Sequence, residues 1–216
     1  MLQNERSLER KKKMNHIIGI IGTNSEQSTN RTLLTFMARH FAKDATIEVV
    51  EIKDIPMFNK PSNMEVPKEA LALAAKIEAA DGVIISTPEY DHAVTASLMN
   101  ALSWLSYGIY PFVDKPVMIT GASYGTLGSS RAQAHLRQIL NAPELKARIM
   151  PSSEFLLGHS LQAFDEEGNL KDQNQVAELE GLFRDFTTFM AIMKQLNHAH
   201  EANKKAAENF SWEDNK

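Results

Sequence analysis

Residues 82–104 read GVIISTPEYDHAVTASLMNALSW, and this stretch decides the fold prediction. Residues 83–85 form a short run of β-branched side chains, which is typical of a strand buried on both faces. Pro88 ends that pattern, because proline has no N–H for a sheet hydrogen bond. A polar loop with one aromatic residue follows at 89–92, and a helical pattern begins at Val94. A strand, a loop and a helix in this order form one unit of an α/β sheet, in which ligands bind at the carboxyl ends of strands.

The same alternation extends in both directions and predicts one domain over residues 15–196. It indicates a five-stranded, doubly wound parallel sheet with helices on both faces. The fifth apolar segment contains Pro151, so an edge or irregular strand is expected there. Residues 1–14 are expected to form a flexible lead, and 197–216 a polar tail that is a frayed helix extension or disordered. Strands are predicted at 16–22, 47–52, 83–85, 116–120 and 149–157, and helices at 30–43, 67–80, 94–107, 129–140 and 173–195.

The composition excludes several classes of protein. The 216 residues include no cysteine, which excludes disulfide scaffolds, thiol nucleophiles and thiolate metal sites. No pair of histidines has metal-ligand spacing, so no metal site is predicted. A net charge of -4 gives no reason to expect a nucleic-acid partner, and no apolar run reaches the roughly 18 residues of a membrane helix. We therefore expect a cytoplasmic protein without a membrane or nucleic-acid partner.

The loop after the first strand, residues 22–30, carries hydroxyl groups just ahead of a helix. Hydroxyls and free backbone N–H groups at a positive helix end favour a phosphate site. The loop lacks the lysine of a P-loop and the glycine pattern of a dinucleotide-binding turn, so a phosphomonoester held by neutral donors is indicated. An ordinary N-cap cluster is the alternative. The candidate residues are Thr23, Ser25, Ser28, Thr29 and Asn30.

The loop after the fourth strand, residues 121–128, has glycines at 121, 125 and 128 that would let backbone approach a flat ligand. Residues 121–125 also match G-x-S-x-G, the nucleophile elbow of serine hydrolases. Ser123 would then need a downstream acid, Asp172 or Asp185, and His198 as the base. A serine hydrolase is therefore kept as an alternative.

Taken together, the three loops resemble those of the NAD(P)H-dependent FMN reductases of the flavodoxin-like superfamily. The resemblance covers residues 17–193, and the P-E-Y segment at its observed spacing is the most specific part. It implies the strand order 2-1-3-4-5, with FMN as cofactor and NADPH or NADH as co-substrate. The motifs that carry it are G-T-x-x-x-x-S-x-N at 22–30, P-E-Y-D-H at 88–92, the glycine loop with the R-A-Q that follows it, and F-D-x-x-G-x-L at 164–170.

The resemblance also implies a role for each matching residue. Thr23, Ser28 and Asn30 would hold the FMN phosphate. The loop residues Pro88, Glu89, Tyr90 and Asp91 would line the isoalloxazine edge, and Gly121, Ser123 and Gly125 would run beside its pyrimidine side. The chain departs from the family pattern at Ser25, where arginine is usual, and at Asp91, where asparagine is usual. No side chain is assigned a catalytic role, since flavin carries the chemistry.

Residues 94–113 contain no charged side chain, although a surface helix should show a charged face opposite its apolar stripe. A wide apolar surface favours a partner, and the FMN reductases commonly pair through this region. We expect a homodimer, or a tetramer, through the helix at 94–107, with Leu102 and Trp104 in the interface. Burial under the chain's own connection at 56–67 is the alternative.

Two functions besides hydrolysis remain open. An FMN-dependent NAD(P)H oxidoreductase would pass hydride from nicotinamide to FMN and electrons to a small-molecule acceptor such as a free flavin, quinone, azo compound or metal ion. A non-enzymatic flavodoxin-like electron carrier is the alternative, and the modest net charge argues against it because carriers present an acidic docking face.

Overall fold

The structure is a computed structural model that describes residues 14–151 and 154–209. Strands and helices alternate along the chain as the sequence predicts. A 3₁₀ helix at Lys194–Ala199 joins the last two helices. The strands are β1 (Asn15–Ile21), β2 (Ala45–Val50), β3 (Gly82–Ser86), β4 (Pro116–Ala122), β5 (Arg148–Ile149) and β6 (Phe155–Leu157), and the helices are α1 (Thr29–His40), α2 (Lys68–Ala79), α3 (Ala96–Trp104), α4 (Ser130–Leu140), α5 (Gln173–Met193) and α6 (His200–Glu208).

The strands form one parallel sheet in the order β2-β1-β3-β4-β5, which confirms the flavodoxin-like doubly wound prediction. The predicted fifth strand is the one difference. It consists of two short strands, of which β5 pairs with the start of β4 and β6 with its end. Pro151 lies between them, where its missing N–H cannot continue a ladder.

Side chains of β1 alternate between two cores, one on each face of the sheet. Ile18 and Ile20 pack with α2, α3 and α4, while Ile17 and Ile21 pack with α1 and α5. This two-sided burial is the reason that the strands read as continuous apolar runs. All strands of such a sheet end at one edge, and the loops after β1, β3 and β4 therefore meet there.

Leu102 and Trp104 of α3 are covered by their own chain, which corrects the prediction that these two side chains lie in a dimer interface. Leu102 is 1% exposed and Trp104 2%. The indole N–H of Trp104 donates to the Pro56 carbonyl at 2.8 Å, and the ring of Phe58 packs edge-on against the indole. The hydroxyl of Tyr107 donates to the Pro61 carbonyl at 2.7 Å. The connection between β2 and α2 is thus the cover of this helix.

Residues 200–208, assigned to the polar tail from sequence, form helix α6. Asp114, in the turn before β4, holds this helix: the Asn203 amide donates to its two oxygens at 3.1 and 2.9 Å, and a ring nitrogen of His200 lies 3.2 Å away. Arg148 of β5 pairs with the same carboxylate at 2.7 Å. Ala207, near the end of α6, is buried. This docking takes place at the amino-terminal edge of the sheet, away from the three loops.

Candidate functional site

A cavity of ≈ 470 Å³ lies at the carboxyl edge of the sheet, where the three loops meet. Its volume falls in the range of small-molecule and cofactor sites. Three predicted site residues, Ser25, Asp91 and Gly121, do not line it. The eight that do are Thr23, Ser28, Asn30, Pro88, Glu89, Tyr90, Ser123 and Gly125. Thr29, a candidate residue of the first loop, lines the cavity as well. The lining residues that were not predicted to bind the cofactor are Gln27, His92, Ala122, Tyr124, Thr126, Leu127 and Arg131.

The first loop presents polar groups to the cavity from the start of α1. Ser28 is the N-cap residue, and its hydroxyl accepts from the Arg31 N–H at 3.3 Å. The backbone N–H groups of Thr29 and Asn30, at the first two helical positions, have no intrahelical acceptor. Free N–H groups at a positive helix end suit an anionic oxygen. The hydroxyl of Thr23 accepts from the Ser25 N–H at 3.2 Å and helps to fix the loop.

Arg31 braces this loop from its outer side. Its Nη1 donates to the carbonyls of Ser25 and Glu26 at 2.9 and 3.0 Å. Its Nε and Nη2 bind the two carboxylate oxygens of Glu51 at 2.6 and 3.0 Å. The hydrogen bond to Glu51, followed by the opposing effect of burial and by the charge of Glu51, leaves the pKa of Arg31 above its ordinary value. The Ser25 hydroxyl donates to the Gln27 carbonyl, so Ser25 closes the loop on itself instead of facing the cavity.

The side chain of Asn30 binds the ends of two strands of the sheet. Its side chain is 1% exposed. Its Oδ1 accepts from the Ser86 hydroxyl at 2.8 Å and from the Ala122 N–H at 2.9 Å, while Nδ2 donates to the Ala122 carbonyl at 2.9 Å. These bonds tie α1 to the ends of β3 and β4. What Asn30 offers the cavity is its backbone N–H at the start of α1.

The P-E-Y loop ends in a tight turn. Tyr90 and Ala93 exchange both backbone hydrogen bonds, at 3.1 and 2.9 Å. Between them Asp91 and His92 have φ of +49° and +63°, so both are left-handed, as in a type I′ turn. Asp and His are among the non-glycine residues that adopt this region most readily. The turn directs Asp91 away from the cavity and leaves the Tyr90 side chain at its mouth, half exposed.

Glu89 joins the P-E-Y loop to helix α4. Ser129, the N-cap residue of α4, has φ of +68° and makes no side-chain cap bond. Instead, Oε2 of Glu89 accepts from the N–H groups of Arg131 and Ala132 at 2.9 and 3.3 Å. A carboxylate at this position satisfies free N–H groups and is favoured by the helix dipole. Two of the three loops are therefore locked together by one side chain.

The glycines of the third loop have different roles. A Cβ on Gly121 would overlap the Ser129 hydroxyl and the Thr87 carbonyl, so Gly121 is required by packing behind the cavity. Its expected place beside the flavin stays a prediction. A Cβ on Gly125 would have no heavy atom within 4 Å. Gly125 lines the cavity, and its bare backbone lets a flat ligand approach closely.

The surroundings of Ser123 do not support its assignment as a nucleophile. Its hydroxyl donates to the Gly125 carbonyl at 3.3 Å. The predicted base, His198, belongs to the 3₁₀ helix that starts at Lys194. Lys194 pairs with Asp81 at 2.8 Å, immediately before β3 begins. The backbone of residue 198 therefore lies toward the opposite edge of the sheet from Ser123, which argues against the G-x-S-x-G match as a nucleophile elbow.

The site fits a flavin mononucleotide. One side offers hydroxyls and free N–H groups without a lysine, as a phosphate held by neutral donors requires. The other offers aromatic and apolar surface from Tyr90, Tyr124 and Leu127 together with open glycine backbone. Within residues 14–151 and 154–209, no group of three or more metal-ligating side chains comes together, and no helix is long and apolar enough to cross a bilayer.

Comparisons with known proteins agree with this geometry. The NADH:(hydroxy)cinnamate reductase subunit CrdA of Vibrio ruber is 53% identical over 200 residues, which cover 93% of this chain and 98% of that protein. NADH-dependent flavin reductase subunit 2 of Lactobacillus johnsonii is 39% identical over 179 residues, 81% of this chain and 96% of that protein. The fold of FerB, a flavoenzyme NAD(P)H:(acceptor) oxidoreductase from Paracoccus denitrificans, matches with a TM-score of 0.74 at 23% identity, over 83% of this chain and 99% of that one.

The family described as NADPH-dependent FMN reductase matches residues 15–162, which include all three loops. The extent of this match, the two relatives and the cavity between the three loops all indicate a flavin-dependent reductase. The chain belongs to the NADPH-dependent FMN reductase family and is an FMN-dependent NAD(P)H oxidoreductase.

Proposed function

We propose that the cavity holds FMN with its phosphate at the start of α1 and its ring system between the P-E-Y loop and the glycine loop, and that the chain is the NADH-oxidising subunit of a two-component reductase. The observation that carries the proposal is the meeting of three loops of different chemistry at one cavity. FMN, when bound, accepts a hydride and releases electrons to a second substrate.

In that reaction the residues of this chain bind and orient the FMN. The N–H groups of Thr29 and Asn30 and the hydroxyl of Ser28 hold the phosphate. Gly125 permits close approach of backbone to the ring system. The side chain of Tyr90 borders the face at which nicotinamide and acceptor arrive. No proton transfer by a side chain is needed, and the lining residues contain no paired acid and base.

NADH is the proposed donor, and a second reductase subunit the proposed acceptor. Both relatives are named as subunits and as NADH-dependent enzymes. The identity to the Vibrio ruber subunit extends over almost the whole of both chains, which supports a shared arrangement. A small-molecule acceptor, such as a free flavin, quinone, azo compound or metal ion, is the alternative. We place this reaction in the cytoplasm, because NADH is produced and consumed there.

We also propose that two copies associate. With Leu102 and Trp104 covered, the exposed apolar side chains on and beside α3 include three methionines. Met99 on α3 is 43% exposed, and Met57 and Met64 in the connection that covers it are 77% and 47% exposed. Exposed methionines are common at binding surfaces because their side chains adapt in shape. A second copy that covers them would also border Tyr90, since Met57 and Tyr90 line the same small cavity beside α3.

The test begins with the purified chain loaded with FMN and freed of excess by gel filtration. We expect a yellow protein that NADH bleaches under nitrogen, and slow reoxidation by each small acceptor. Failure to retain FMN would reject the binding proposal, and a yellow protein that NADH leaves unbleached would identify an electron carrier. Rapid turnover with one small acceptor would identify that molecule, and not a second protein subunit, as the electron acceptor.

A further inference from the structure

Arg131 is the single arginine or lysine among the residues that line the cavity in the described part of the chain. It occupies the second position of α4, directly after the glycine loop. Glu89 and His92 also line the cavity. Positive charge at this cavity therefore depends mainly on one guanidinium.

The guanidinium of Arg131 is largely unused by the protein. Within the residues described, its one hydrogen bond runs from Nη1 to Oε1 of Glu89, at 3.3 Å. Its side chain is 48% exposed. A guanidinium has five N–H donors in a rigid fork, so most of the donors of Arg131 are available. Arg31, on the far side of the first loop, is the opposite case: its Nε, Nη1 and Nη2 all bind protein oxygens.

Glu89 does not bind the Arg131 guanidinium tightly. Its Oε2 is engaged by the backbone N–H groups of Arg131 and Ala132, and its side chain is only 11% exposed. The carboxylate thus holds the first turn of α4 in place, with a weak contact to the guanidinium. The result is a fixed helix start that presents a free cationic fork beside the cavity.

The proposed electron donor brings the anion that such a fork would bind. The FMN phosphate is already provided for by the N–H groups at the start of α1. NADH carries two further negative charges on its pyrophosphate, and arginine matches phosphate oxygens with two parallel hydrogen bonds. We propose that Arg131 binds the pyrophosphate of the nicotinamide dinucleotide and so selects NADH over donors that lack it. This inference rests on the proposed function of the cavity.

The test compares ligands with and without phosphate. ADP-ribose, which carries the pyrophosphate but no nicotinamide, is titrated into FMN-loaded protein by calorimetry. NADH and the phosphate-free donor 1-benzyl-1,4-dihydronicotinamide are then compared in anaerobic flavin reduction. Arg131→Ala should weaken ADP-ribose binding and lower kcat/KM for NADH, through KM, by about 10- to 100-fold, the scale of hydrogen bonds to a charged group. Arg131→Lys should fall between, because it keeps the charge and loses the fork. Reduction by the benzyl donor should stay within twofold.

Arg184→Ala is the matched control. Arg184 is an exposed arginine of α5 that does not line the cavity, and its loss should change none of these values. Unchanged ADP-ribose binding in Arg131→Ala would overturn the proposal. An equal loss with both donors would also overturn it, by assigning the guanidinium to the flavin. Failure of both donors to reduce the wild type would reject the proposed function instead, and the ADP-ribose titration would still decide the role of Arg131.

Discussion

The side-chain amide of Asn30 is hydrogen-bonded to both the N–H and the carbonyl of Ala122, at 2.9 Å each. Ala122 ends β4, so this pair of bonds fixes the start of α1 against the strand that leads into the glycine loop. The geometry of the cavity thus depends on a buried amide.

Asn30→Ala should lower the free energy of unfolding by about 3 kcal/mol, because it leaves two buried backbone groups unpaired. Urea unfolding followed by circular dichroism measures this. Asn59→Ala, a change at an exposed asparagine in the connection between β2 and α2, should cost less than about 0.5 kcal/mol. Equal stability of the two variants would show that Asn30 does not serve as a structural tie.

Ser28→Ala should weaken FMN binding by about 10-fold while riboflavin binding stays within twofold, since only FMN carries the phosphate that we propose the hydroxyl contacts. Fluorescence titration of the apoprotein with both flavins measures the two affinities. Thr32→Ala is the control, because Thr32 lies one turn further along α1 and its hydroxyl donates to the Ser28 carbonyl outside the cavity. Equal losses for both flavins in Ser28→Ala would move the phosphate elsewhere.

Ser123→Ala should retain NADH oxidation within a few-fold of wild type, because the Ser123 hydroxyl bonds to a carbonyl of its own loop. Loss of a triad serine costs far more than a thousandfold. Steady-state assays of the FMN-loaded variant decide the matter, and labelling of the wild type with a fluorophosphonate serves as the complementary check. Labelling that disappears in the variant would restore the hydrolase interpretation.

Met99→Lys should shift the protein from dimer to monomer in light scattering while its unfolding free energy changes by less than about 0.5 kcal/mol, as is usual for an exposed site. Trp104→Ala should instead lower stability by about 3–5 kcal/mol, because the indole is buried within its own chain. A wild type that scatters as a monomer at micromolar concentration would remove the homodimer proposal.

Asp114 should make the docking of α6 sensitive to acid. Burial, the largest single effect, raises the pKa of Asp114. Hydrogen bonds from Asn203 and His200 and the charge of Arg148 together outweigh it, so the pKa of Asp114 lies below its ordinary value. A carboxyl with a lowered folded pKa contributes stability above its unfolded pKa and loses that contribution as pH falls through the folded value.

Asp114→Asn should therefore reduce stability at pH 7, and the difference from wild type should shrink as pH falls below about 4. Urea unfolding of both proteins across this range measures the trend. Asp54→Asn is the control, because Asp54 is an exposed aspartate. Its difference in stability from wild type should not shrink in this way as the pH falls. A difference that is constant with pH would show that the charge of Asp114 has no part in docking.

The sequence predicted the features that depend on local pattern. The apolar runs located four strands closely, and the position of Ser28 before a helical pattern located the N-cap at the cavity. What it could not predict were contacts between segments far apart in the chain. The capping of α4 by Glu89 spans 42 positions, and the cover over Trp104 comes from a connection around Pro56 with no periodic pattern.

The missed site residues follow the same division. Gln27 lies inside the loop that was identified, so a prediction of the whole loop would have included it. Arg131 could have been identified from the sequence, because it is the lone cationic residue in the first turn after the glycine loop. The availability of its guanidinium could not be predicted, because it depends on the hydrogen bonds that the Glu89 carboxylate accepts from the backbone of α4.

The position of α5 has a consequence for how this protein can be divided. The family match ends at residue 162, whereas α5 begins at Gln173 and supplies Phe183, Phe186 and Met190 to the core that contains Ile17, Ile84 and Met118. A fragment cut at the end of the match would expose these strand residues to water. We therefore expect the smallest autonomous folding unit of the chain to reach past the matched segment to the end of α5, and a fragment that ends at residue 162 to aggregate.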